Sequence, residues 1–153
     1  MTSARGLYPL AFASGGVLTL MVLFNGQWAA NGTALFASWM AHGTGTVAAL
    51  LFLALLRRPR PVAGAGRAPV WAYLGGLSGA VTVMLTSTTV NSALALSGTL
   101  ALGLVGQAAY SLMADRFGWF GLARRRIGGR EAAALCLILS GSFLIIFAGR
   151  ILP

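Results

Sequence analysis

Residues 6–56 read GLYPLAFASGGVLTLMVLFNGQWAANGTALFASWMAHGTGTVAALLFLALL. No Asp, Glu, Lys or Arg occurs in these 51 residues, whereas one helix crosses the hydrocarbon core of a bilayer with about 20. Two passes fit, and the turn between them lies in Asn25-Gly26-Gln27-Trp28-Ala29-Ala30-Asn31-Gly32, where Asn-Gly dipeptides accompany a tryptophan suited to the membrane interface. Helices are expected at 7–27 and 33–56. The apolar stretch from Leu7 to Phe24 exceeds the roughly 7 to 15 residues of a signal-peptide core, so a retained first helix is expected.

The same reading extends along the chain. A second uncharged stretch, 47 residues between Arg67 and Asp115, again holds two passes, expected at 69–90 and 94–114. Their turn falls near Thr89-Val90-Asn91-Ser92 or slightly later, toward Ser97-Gly98. Between Glu131 and Arg150 lie 18 uncharged residues, one further pass at 131–150. Lipid offers the backbone no hydrogen-bond partner, and these runs lack the alternation of barrel strands. The expected fold is therefore all-α, a polytopic membrane protein of five transmembrane helices forming a single transmembrane domain, 1–153.

Charge is scarce and one-sided: 8% of residues are charged against 58% hydrophobic, and eleven arginines face only Asp115 and Glu131. A soluble protein with a formal charge of +9 would suggest nucleic-acid binding. Here the arginines fill short breaks between apolar runs, without interleaved aromatics, so no nucleic-acid partner is expected. They act as topology signals. Arg5 precedes helix 1, Arg57, Arg58, Arg60 and Arg67 separate helices 2 and 3, and Arg116, Arg124, Arg125, Arg126 and Arg130 separate helices 4 and 5. Retention of positive charge on the cytoplasmic side puts the N-terminus in the cytoplasm and the C-terminus in the periplasm of a bacterial inner membrane. Only Arg150 falls outside that pattern. The lone Cys136 lies in an apolar run, where cysteine behaves as a small hydrophobe.

Within the helices a few residues stand out. Gly75, Gly79, Thr82, Thr86 and Thr89 form one stripe of helix 3, read as a packing seam of small residues or as hydroxyls lining a path. On helix 4, Gly103, Gln107 and Tyr110 share a face, and an amide at the depth of Gln107 either serves a wet cavity or holds two helices together. On helix 2, Trp39, His42 and Thr46 share a face. His42, the single histidine, is a proton carrier in one reading and a neutral, hydrogen-bonded histidine in the other, and the lack of a nearby carboxylate favours the second. Neither acidic residue is placed inside a pass, so the competition between cation and proton for one carboxylate has no candidate. Metal-ligand clusters, phosphate loops, nucleophile–base pairs and haem motifs are also missing from the sequence, so no enzyme activity, cofactor or metal is expected.

Trp71-Ala72-Tyr73-Leu74-Gly75-Gly76-Leu77-Ser78-Gly79 resembles the start of the third helix in small YdcZ-like proteins of the drug/metabolite transporter superfamily. Gly106-Gln107, then Asp115-Arg116-Phe117-Gly118-Trp119-Phe120-Gly121, then Arg130 and Gly141 extend the resemblance, with GQ followed by DxFGxxG as its most specific part. Asn25 stands in the place of the family's helix 1 asparagine, and Gly45-Thr46 resembles its second-helix Gly-Thr. Met21 stands where a glutamine is expected and His42 where an aromatic is usual. The resemblance implies five helices that make half of a ten-helix transporter, completed by a homologous, oppositely oriented subunit. The arginine bias argues for one orientation of this chain, and so for a partner of opposite bias.

The expectation is a subunit of a small-molecule secondary transporter, an exporter by family analogy, embedded in membrane lipid and working as a dimer. Its substrate would bind at Asn25, Trp39, His42, Gln107 and Tyr110, while Gly75, Gly79, Thr82 and Thr86 pack helices. A passive channel for an ion or small solute, built from paired inverted subunits and lined by the helix 3 hydroxyls, is the competing class, and flux rate separates the two. A third class is an assembly subunit that transports nothing.

Overall fold

A computed structural model describes residues 4–56 and 69–151. Arg57, Arg58, Arg60 and Arg67 lie outside the described residues, as do the side chains of Arg5 and Arg150. Five long helices follow one another: α1 (Ala4–Ala30), α2 (Ala34–Leu55), α3 (Gly75–Val90, entered through a 3₁₀ turn at Val70–Leu74), α4 (Ala95–Phe117) and α5 (Gly129–Ile151). Their apolar spans of 20 to 25 residues are long enough to cross a membrane, and no strand occurs among the described residues.

The turn between α1 and α2 is shorter than the sequence suggests. Asn25 and Gly26 continue the helix, and the chain reverses only at Asn31-Gly32. Asn-Gly marks turns where water can take over the backbone groups; at this depth helical continuation satisfies them instead. Thr33 then caps α2, its hydroxyl accepting from the Phe36 amide at 3.0 Å. The next turn, at 91–94, leads into α4, where Ala95 takes a left-handed φ of 51°.

The chain divides into two compact units, Met1–Asn91 and Ser92–Pro153. In the first, each of α1, α2 and α3 packs on the other two. The contact is made of small and polar residues: Val22, Asn25 and Gly26 on α1, Ala37 and Ser38 on α2, Val83 and Ser87 on α3 are buried. Such residues let backbones approach closely enough for dispersion and interhelical hydrogen bonds to replace the hydrophobic effect that lipid does not supply. Gly26 meets Val90 so closely that a Cβ has no room. Beside it the Asn91 side chain donates to the carbonyls of Gly26 and Ser87, each at 2.8 Å, tying α1 to the end of α3. Ser38 donates to the Ala80 carbonyl at 3.2 Å, tying α2 to α3.

In the second unit α4 packs on α5. Buried Ser142 donates to the Ala101 carbonyl at 3.1 Å, and Gly98 sits against Leu94 and Ile146. Gly118 ends α4 in the left-handed conformation, φ 69°, its amide returning to the Ala114 carbonyl at 2.8 Å. Left-handed Phe120 and Gly121 follow, and the loop folds back so that the Arg125 amide donates to the Asp115 carbonyl at 2.8 Å. Arg125 pairs with Glu131 at 2.9 Å, while the other Glu131 oxygen accepts from the Gly128 amide at 3.0 Å and closes the first turn of α5. The DxFGxxG motif is thus a helix stop with two left-handed glycines, a backbone shape that other residues adopt at a cost.

Candidate functional site

Residues four and three apart line up along a helix face, and two such rows meet between α1 and α2. Val17, Met21, Phe24, Asn25 and Trp28 on one side, with Met40, Thr44 and Ala48 on the other, enclose a cleft of about 670 Å³. No charged side chain among the described residues lines it. The Thr44 hydroxyl donates to its own helix, at the Met40 carbonyl 2.8 Å away, which leaves its lone pairs to the cleft.

Asn25 is the polar group of this wall that lacks a settled partner. The residue is 5% exposed, and its Nδ2 has no hydrogen-bond partner among the described residues. A buried amide left unpaired costs about 1–3 kcal/mol. At the turn end of the cleft, Trp28 meets Phe36 edge-on at 5.7 Å, and Phe36 stacks on Trp39 at 6.3 Å. Trp39 itself is exposed and borders a second hollow along α2, of about 530 Å³, with Met40, Gly43 and Thr44.

His42 is directed at α3 and does not line the cleft. Its Nδ1 lies 2.8 Å from the Ser38 carbonyl, and because a carbonyl only accepts, Nδ1 carries the proton. Its Nε2 faces Gly79, where an added Cβ would stand 3.2 Å away. Of the stripe's two glycines, Gly79 is accordingly the one that meets a neighbouring helix. A Cβ on Gly75 would meet nothing within 4 Å, Thr82 donates to the Ser78 carbonyl at 2.9 Å, and Thr86 donates to the Thr82 carbonyl at 2.8 Å. In the first unit the deepest α3 positions are Val83 and Ser87, one step round the helix from that stripe.

Gln107 and Tyr110 belong to the second unit, on α4. Gln107 is exposed and makes no hydrogen bond among the described residues. Tyr110 lies against Trp119 of the glycine loop, ring centres 5.6 Å apart. Of the five residues expected to bind substrate, then, Asn25 lines the α1–α2 cleft, Trp39 borders the adjoining hollow, His42 packs on Gly79, and the other two lie on α4. Of the cleft's other walls, Met21 stands out in the sequence only as the residue in place of an expected glutamine, and Met40 and Thr44 do not stand out, although Met40-Thr44-Ala48 repeats at the four-residue spacing of a helix face.

Comparison with known proteins gives one family: residues 7–144 match the family model described as "Putative inner membrane exporter, YdcZ". No curated protein and no solved structure matches the chain.

Proposed function

Since the chain belongs to the YdcZ family of the drug/metabolite transporter superfamily, we propose that this multi-pass inner-membrane protein is one subunit of a small-molecule exporter, paired with a homologous copy of opposite orientation. The observation that carries the reading is the α1–α2 cleft of about 670 Å³ with the unpaired Asn25 amide in its wall. Its volume falls in the range of small-molecule sites, roughly 300–1,000 Å³, and such sites combine apolar walls with a few placed polar groups.

Pairing has separate support. Gln107 is exposed in an apolar span without a hydrogen-bond partner among the described residues, and an amide facing hydrocarbon is costly. A second subunit would supply the partner. Ten of eleven arginines fit an N-terminus in the cytoplasm, so the inverted copy is a homologue with the opposite bias. Alternating access then comes from rocking of the two subunits about a site near the midplane. The channel reading gains no observation, since neither the cleft nor the adjoining hollow is lined by the helix 3 hydroxyls.

Cells with the gene deleted, restored, or restored together with an adjacent homologue should differ in their retention of compounds from a small-molecule panel. Exporter activity predicts compounds retained less whenever the gene is present. Retention that is indifferent to the gene across the whole panel would remove the reading. Gln107→Leu should abolish export while leaving membrane insertion intact, and unchanged export would remove Gln107 from the pairing argument.

A further inference from the structure

We propose that the α1–α2 cleft takes uncharged, lipophilic aromatic molecules that carry a hydrogen-bonding group such as a carbonyl, and that Asn25 recognises that group. This rests on the exporter reading and names its substrate class. The walls give the first half of the case. Phe24 and Trp28 offer aromatic rings, and Met21 and Met40 offer unbranched, polarisable thioethers that adapt to irregular shapes and contact aromatic edges favourably. An organic cation would enter without a counter-charge, because the lining holds no carboxylate. Desolvating an unpaired charge there outweighs the attraction of two rings.

Asn25 gives the second half. Were the cleft filled by a lipid acyl chain, the amide would stay unpaired, since a hydrocarbon chain has nothing to accept from Nδ2. Nδ2 has essentially no accessible surface as it stands, but the terminal torsion of asparagine is broad and roughly two-fold, so a half-turn of the amide brings its N–H to the cleft to meet a ligand carbonyl. A ligand with one such group gives the amide a hydrogen bond that neither lipid nor the empty cleft supplies.

Three dyes separate the occupants on the full chain in lipid nanodiscs. Nile red is neutral and aromatic with a ring carbonyl; diphenylhexatriene is neutral and aromatic without any hydrogen-bonding group; ethidium is an aromatic cation. Saturable binding of Nile red in preference to the other two is expected, weakened about tenfold in Asn25→Leu, the loss that follows from one amide hydrogen bond. Asn25→Gln keeps the amide and should retain part of the affinity, which separates recognition from a folding defect. Equal binding of diphenylhexatriene, with Asn25→Leu indifferent, would make the cleft a lipid-filled groove and overturn the inference, as would a preference for ethidium. Gene-dependent retention of the panel in cells is read independently. Nanodisc binding that fails while export persists therefore overturns the substrate class alone, and binding without export overturns the exporter reading.

Discussion

Asn91 stands where one amide does the work of water for two helices. Ser87 lies in the last turn of α3, and the Asn91 amide N–H goes to the Thr89 carbonyl, so the side-chain bond to Ser87 caps the helix end while the bond to Gly26 ties α1 to it. Side-chain hydrogen bonds between membrane helices contribute about 0.6 kcal/mol each, which sets the loss expected for Asn91→Ala at about 1 kcal/mol, read as an earlier midpoint in an SDS titration of the detergent-solubilised protein. Gly26→Ala should cost more, about 1–3 kcal/mol, because its new methyl overlaps Val90. The double variant with Val90→Ala should recover most of that loss. If Val90→Ala gives no recovery, the close approach of α1 and α3 at this point is not what Gly26 provides. Asn25 was legible in the sequence as part of a turn segment and, through the family resemblance, as a helix 1 asparagine, but its lack of a partner depends on what α2 and α3 present to it, which no spacing records.

At the scale of elements, the number of helices was readable because lipid leaves the backbone no alternative to internal hydrogen bonding. Their ends were less so. Asn25-Gly26 has the composition of a turn and is helical, while the real reversal at Asn31-Gly32 is announced by the capping Thr33. The DxFGxxG motif was legible as a family mark, and its geometry was not, because a left-handed φ at Gly118 is what turns Trp119 back onto Tyr110. Tyr110 therefore reads from sequence as a site residue on a helix face and is found against a loop. Gly118→Ala should destabilise the loop by about 1–2 kcal/mol, the cost of a left-handed conformation with a Cβ. That Cβ would also lie 3.0 Å from the Leu122 carbonyl oxygen. Gly129→Ala, whose Cβ would meet nothing within 4 Å, is the matched control and should leave the unfolding midpoint in place or raise it. Limited proteolysis between α4 and α5 should speed up in the first variant only.

For the whole molecule, orientation is the property on which the proposed pairing rests. Reporter tags at both termini should place the N-terminus inside and the C-terminus outside in nearly all copies, and equal populations of the two orientations would sink the paired-homologue model. Moving charge should move the chain: neutralising Arg124, Arg125 and Arg126 while adding three arginines beside Asn31-Gly32 is expected to produce a mixed population. Arg125 also pairs with Glu131, so part of any loss of yield in that variant belongs to the α5 cap. The ring cluster of Trp28, Phe36 and Trp39 carries one more consequence. Tryptophans favour the headgroup level, so the three rings act as a float that fixes how deep the α1–α2 corner rides. A thinner or thicker bilayer would then tug on this corner first, and the space it encloses would respond to the lipid the cell makes.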